Sequence, residues 1–133
     1  MRQLTLFIGI FFLSLTGIAQ GKVQVVTTTT DLSWVAKQIG GERVKAVALL
    51  HANSDPHYVD AMPHFIHKVS NADAVCFVGL DLEIGWLPKV LAKSGNRNVQ
   101  KGGSGYCDTS QTVEPLDVQH GKVDRSMGDV HSA

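Results

Sequence analysis

Excess charge of either sign is missing: 12 lysines and arginines balance 12 aspartates and glutamates over 133 residues. A neutral chain has no global field to draw it to nucleic acid or an anionic membrane, so binding classes that rest on bulk charge are excluded. Cysteine is scarce, with Cys76 and Cys107 alone and in no knuckle spacing, which argues against cysteine-ligated zinc. Cys76 sits in the apolar run 74–78, where a buried free thiol is the simpler reading, although export would permit the two cysteines to pair. No apolar run reaches the roughly 20 residues of a membrane span. Recognisable enzyme motifs are also missing. Gly102-Gly103-Ser104-Gly105 lacks the lysine and spacing of a phosphate loop, and Tyr106 stands where a nucleophile elbow needs its last glycine. That run reads as a mobile connection, and no enzyme activity is expected.

What is present is a 44% hydrophobic chain with only 7% aromatics, enough for one domain with a real core and too short for two. Residues 1–19 read as a secretory signal: Arg2 gives the positive start, 4–15 the apolar stretch and Gly17-Ile18-Ala19 a small-x-small cleavage site. Residues 20–133 are then the mature unit. No cysteine near the cleavage site can carry a lipid, so the expectation is a free periplasmic protein.

Along the mature chain, strands and helices alternate. Val23, Val25 and Val26 before four threonines predict a first strand, and Asp31 offers a helix N-cap. Leu32, Val35, Ala36 and Ile39 recur at helical spacing until Gly40-Gly41 closes the helix. The nearly continuous apolar run 44–50 predicts a second strand, covered on both faces in a parallel sheet and reached by a right-handed crossover. Pro63 opens a helix with Phe65, Ile66 and Val69 as its stripe, and 74–78 is a third strand. A further helix runs through Trp86, Leu87, Val90 and Leu91, bent or restarted at Pro88, with Asp81 and Glu83 capping its start. Beyond Val99 the signal fades: 113–118 predicts an edge strand at most, and 121–133 a loop. The fold class is α/β, a Rossmann-like open, mainly parallel sheet with helices on both faces.

Histidine is the unusual residue, with six copies. In such a sheet ligands collect outside the carboxyl ends of the strands, and Asp55-Pro56-His57 lies on the loop leaving the second strand. Pro56 fixes its own φ and biases Asp55 toward an extended conformation, which limits how far His57 can move. On those three letters alone an exposed loop histidine is the simpler account; position argues for a ligand. His64 and His67, three apart on one helical face, make a local cluster with His57 conceivable, though solvated histidines explain them better. Asp60 is a possible further ligand, and Asp124 or Asp129 a possible acceptor that orients a histidine.

Several pieces, taken in order, resemble the periplasmic solute-binding proteins of bacterial ABC transporters for zinc and manganese. They are Val25-Val26-Thr27-Thr28, Asp55-Pro56-His57 with Pro63 following, Asn71-Ala72-Asp73, and Gly79-Leu80-Asp81-Leu82-Glu83 with Trp86-Leu87. The resemblance implies two α/β lobes joined by a long helix, with the metal held between them and His57 as the first ligand. Gly128-Asp129-Val130-His131 is similar to a lead-in to a second ligand motif, which makes His131 a second candidate. This chain is then expected to supply the N-terminal lobe only, as a truncated product. The implied function is capture of Zn2+, alternatively Mn2+ or Fe2+, and delivery to an inner-membrane ABC permease. One or two histidines cannot close a tetrahedral site, so weak binding is expected. An exported adhesion or interaction module with incidental histidines is the alternative.

Overall fold

The computed structural model describes residues 21–114. The expected signal segment, the candidate His131, and Asp124 and Asp129 all lie outside the described residues. Four strands form one sheet: β1 (Val23–Thr27), β2 (Val44–Ala48), β3 (Ala74–Phe77) and β4 (Tyr106–Asp108). Their order is β2-β1-β3-β4 and every pairing is parallel. Parallel neighbours need crossovers, and three helices serve the connections: α1 (Thr30–Gly40), α2 (Pro63–Ser70) and α3 (Leu87–Ser94).

Alternation along the strands decides which helix covers which face. Val26, Val75 and Phe77 point into a core shared with Phe65 and Val69 of α2 and with Leu87, Val90 and Leu91 of α3. Trp86, Phe65, Val69, Val75, Val90 and Val99 are fully buried there. The other face carries Val25, Thr27 and Ala46, which are buried outside that core cluster, and α1 packs on β1 and β2. Helices on both faces of a parallel sheet are what the strand-helix alternation predicts.

Three local expectations need correction. The stripe Leu32, Val35, Ala36 and Ile39 does not pack on the sheet as a whole: Leu32 and Ala36 are half-buried beside Ser33, while Val35 is exposed. Ile39 is 81% exposed and Trp34 64%, whereas Ser33 is only 5% exposed. Small side chains on the sheet, such as Ala46, let a serine face approach closely, and helical period fixes a stripe without saying which side packs. Asp31 is not the N-cap either: Thr29 holds that position and Asp31 sits in the first turn, where its charge still favours the helix dipole. Strand β2 is an edge strand with Val47 and Lys45 exposed, so its apolar run is not covered throughout.

The largest difference lies beyond Val99. Gly102 to Gly105 is no mobile connection, because it threads a tight crossing into β4. A Cβ on Gly103 would meet the Asn98 carbonyl oxygen and one on Gly105 that of Asp73. Gly105 donates to the Asn98 carbonyl at 2.8 Å and accepts from Val75 N–H at 2.8 Å. Strand β4, three residues of Tyr, Cys and Asp, was too short and too polar to stand out. Val113 follows a short 3-10 turn over Thr109–Thr112 and is not in a strand, and the rest of the expected edge strand lies outside the described residues.

Phe65→Ala should cost about 3–5 kcal/mol of stability by denaturant titration, as expected for a large side chain lost from a closed core. Ile39→Ser should stay within about 0.5 kcal/mol. Gly105→Ala should destabilise the chain despite its small size, because backbone fills the space.

Candidate functional site

The sheet's carboxyl edge is built first, by a buried carboxylate. β1 pairs with β2 on one side and β3 on the other, so the loops leaving β1 and β3 diverge and open the crevice typical of such sheets. Glu83, 2% exposed, fills that position. It accepts hydrogen bonds from Thr28 Oγ1 at 2.6 Å, Val78 N–H at 2.9 Å and Gly79 N–H at 3.1 Å. A buried carboxylate without partners would be costly, and three donors, one from the end of β1 and two from the end of β3, offset that cost. Glu83 is therefore no helix cap; α3 starts at Leu87 with Pro88 in its first turn and no side-chain cap bond. Pro88 starts the helix and does not bend it.

The backbone between Gly79 and Glu83 is unusual. Gly79, Leu80 and Asp81 have φ of 85°, 51° and 66°, a left-handed run that two non-glycine residues enter against steric preference. A Cβ on Gly79 would also collide with Asp108 Oδ1 and Ser110 Oγ, so glycine is required there on two counts. Further turns bring Trp86 under the next loop, with Leu82 N–H donating to the Gly79 carbonyl and Trp86 N–H to that of Glu83.

That loop carries Asp55-Pro56-His57. The Trp86 indole N–H donates to the Pro56 carbonyl at 2.8 Å, and the Trp86 ring packs 5.6 Å from Phe65. Residues Pro56–Tyr58 form a 3-10 turn with Asp55 as its N-cap. Asp55 Oδ1 accepts from the His57 backbone N–H at 3.0 Å and meets His57 Nδ1 at 2.7 Å. With the proton on Nδ1 the second contact is a donated hydrogen bond, and Nε2 is then the ring's lone-pair nitrogen. A carboxylate on one ring nitrogen is how metal-binding histidines are commonly oriented. The His57 side chain is 18% exposed, so it is seated in the edge without being sealed off. The backbone bond from His57, then the ring contact, hold the Asp55 carboxyl below its ordinary value.

Around this turn the other candidates are spread out. A neighbouring cleft is lined by Leu50, Asp55, Tyr58, Asp60, Met62 and His64. His64 lies edge-on to Phe65 at 4.4 Å. Among the described residues no group of three or more histidine, cysteine, aspartate or glutamate side chains is placed to hold a metal, which ends the idea of a closed local site of His57, His64 and His67. The Glu83 latch and the Trp86 clamp were not expected. Thr28 lies 55 residues from Glu83 and Pro56 30 residues from Trp86, beyond the reach of any local spacing rule.

A parallel α/β unit with an oriented histidine at its carboxyl edge has the form of a lobe of a solute-binding protein. Residues 25–132 match the family of zinc-uptake complex component A, the periplasmic ZnuA proteins, and the chain belongs to that family. It is 32% identical over 101 residues to the metal ABC transporter substrate-binding lipoprotein FimA of Streptococcus parasanguinis, covering 74% of this chain and 31% of that protein. Against the manganese ABC transporter substrate-binding lipoprotein PsaA of Streptococcus pneumoniae it is 32% identical over 98 residues, 71% of this chain and 30% of that one. Against the iron ABC transporter substrate-binding lipoprotein MtsA of Streptococcus pyogenes the figures are 30% over 114 residues, 84% and 35%. The chain thus spans about a third of the length of these curated relatives. Among solved structures, a ZnuA crystal structure shares the fold with a TM-score of 0.58 at 24% identity, covering 73% of this chain and 35% of that one. The periplasmic zinc-binding protein TroA from Treponema pallidum gives 0.57 at 25% identity, with 74% and 34% covered.

Two measurements check this geometry. Trp86→Phe keeps the ring in the core but removes the donor to Pro56, and should cost about 1 kcal/mol in a denaturation titration. The Asp55 carboxyl, followed by NMR, should titrate below 3.8. Because its folded value is depressed, the stabilisation it gives is present above the ordinary value and disappears as pH falls through the lowered one. Asp55→Asn should remove that acid-side component.

Proposed function

We propose that this chain is the metal-facing first lobe of an exported solute-binding protein, which captures a divalent metal ion, zinc before manganese or iron, and delivers it to an ABC permease. The supporting observation is the 2.7 Å contact between His57 Nδ1 and Asp55 Oδ1 at the carboxyl edge of the sheet, the carboxylate-on-imidazole arrangement by which metal-binding histidines are commonly oriented. In this reading residues 1–19 direct export, 20–133 form the lobe, His57 is the first ligand and His131 a second. Among the described residues no helix is long and apolar enough to cross a membrane. The relatives are named as lipoproteins, whereas the first cysteine of this sequence is Cys76, so a free periplasmic protein is the form proposed.

Zinc is favoured by the softness of an imidazole donor. One imidazole does not separate the three metals strongly, however. Relatives with comparable identity over this same stretch are named for manganese and for iron, so the choice of metal is proposed to rest on ligands outside the described residues. No bond in the cargo is made or broken, and relatives named as substrate-binding proteins support a carrier over an enzyme or an adhesion module.

The test is a calorimetric zinc titration of the chain and its variants. With few ligands binding is weak, and His57→Ala should weaken it by at least about tenfold; equal affinities would remove His57 from the site. His131→Ala should have a smaller effect. Asp55→Asn, which keeps the shape but loses the carboxylate, should weaken binding by about 10-fold to 100-fold. Affinity should fall as the solution is acidified, because a protonated imidazole has no electron pair to give. A flat pH response would point to carboxylate ligands instead.

A further inference from the structure

Away from the His57 edge, Cys76 of β3 and Cys107 of β4 are register partners in the parallel pairing of the two strands. Register partners in a parallel sheet point to the same face. Val75 and Phe77, the neighbours of Cys76, turn into the core, as does Tyr106 beside Cys107, whose ring meets Phe77 edge-on at 5.0 Å. Both thiols therefore lie on the opposite face, where each is half-buried and unbonded to another sulfur.

From these positions we propose that Cys76 and Cys107 are a redox-active dithiol, which closes to a cross-strand disulfide by exchange with a small-molecule disulfide. Adjacent strands lie about 4.8 Å apart. That is inside the window of about 4.4–6.8 Å between Cα atoms that a disulfide bridges, toward its short end. Half-buried thiols leave such a bond within reach of an external reductant, as a switchable pair requires.

The step balances as two thiol-disulfide exchanges. One cysteine thiolate attacks the external disulfide, forming a mixed disulfide and releasing one thiolate. The second cysteine, its register partner on the adjacent strand, then attacks the protein sulfur of that mixed disulfide and expels the other half of the reagent. The cysteine pair loses two electrons and two protons, and the external disulfide becomes two thiols. Burial, then the hydrogen bond and charge of Cys107, push the Cys76 thiol up to about 12. The exchange should therefore accelerate as pH rises, since only the thiolate attacks. The closed form ties β3 to β4 directly below Asp108, whose Oδ1 accepts from Ser110 N–H and Oγ–H, and below Thr109, whose hydroxyl donates to the Phe77 carbonyl. The bond would thus stiffen the same carboxyl edge that holds Gly79 and Glu83. It depends on none of the metal ligands.

The experiment incubates the reduced full chain with oxidised glutathione under native conditions at mildly alkaline pH, then reads intact mass after alkylation and maps peptides. The expected product has lost two hydrogens, takes up no alkylating reagent and gives a linked Cys76–Cys107 peptide; a reducing agent restores both thiols. Cys76→Ser and Cys107→Ser should each stop at one glutathione adduct, since the second attack is gone. Two glutathione adducts on the unaltered chain, a disulfide-linked dimer, or two thiols still unmodified while the chain is folded would each overturn the proposal.

Discussion

One buried carboxylate holds the carboxyl edge together. Glu83 sits where the chain leaving β1 turns one way and the chain leaving β3 the other, a place where an open parallel sheet would otherwise admit water between two loops. Its bonds to Thr28 and to the amides of Val78 and Gly79 close that gap with one side chain. The same bonds hold the left-handed run at Gly79, Leu80 and Asp81, whose strain would otherwise relax. From there the order propagates by contact. The turn after Glu83 sets Trp86, Trp86 holds the Pro56 carbonyl, and Pro56 sets His57. A buried side chain outside the Asp55-Pro56-His57 turn thus helps to set where His57 stands.

Such a path suits the role proposed for His57. A histidine on a free loop would lose backbone and rotamer freedom on binding, and that loss subtracts from affinity. Here much of the ordering is done beforehand: proline limits φ, the Asp55 side chain bonds both the backbone and the ring of His57, and the indole ties the turn to the core. Asp55 itself remains 55% exposed on its side chain, so solvent still screens the pair, and its value lies in geometry more than in electrostatic stabilisation.

The fold was legible where period and punctuation agree. Phe65 and Val69 at helical spacing behind Pro63 are read from the sequence because local sterics and period decide them. The sidedness of α1 was not, because Leu32, Val35 and Ile39 make as good an apolar stripe as any. The choice fell to Ser33, whose advantage is small size against a sheet the sequence does not display. Strand β4 was hidden for a related reason: Tyr106, Cys107 and Asp108 carry little β signal, and four residues of glycine and serine before them look like slack until Asn98 and Asp73 are seen pressed against their backbone.

Of the proposed site, one candidate was legible in the sequence and its support was opaque. His57 could be named from its place after the second strand and from the neighbouring letters, whereas Glu83 and Trp86 looked like a cap and a core aromatic. Both act through partners far away in the chain, and a hydrogen bond between distant residues leaves no periodic trace. It leaves a different one, since Thr28, Pro56, Glu83 and Trp86 all belong to the short segments that carry the family resemblance. Those scattered letters, each weak alone, are joined in the fold by the bonds from Glu83 to Thr28 and from Trp86 to Pro56. What looked like separate similarities is one connected support beneath the histidine.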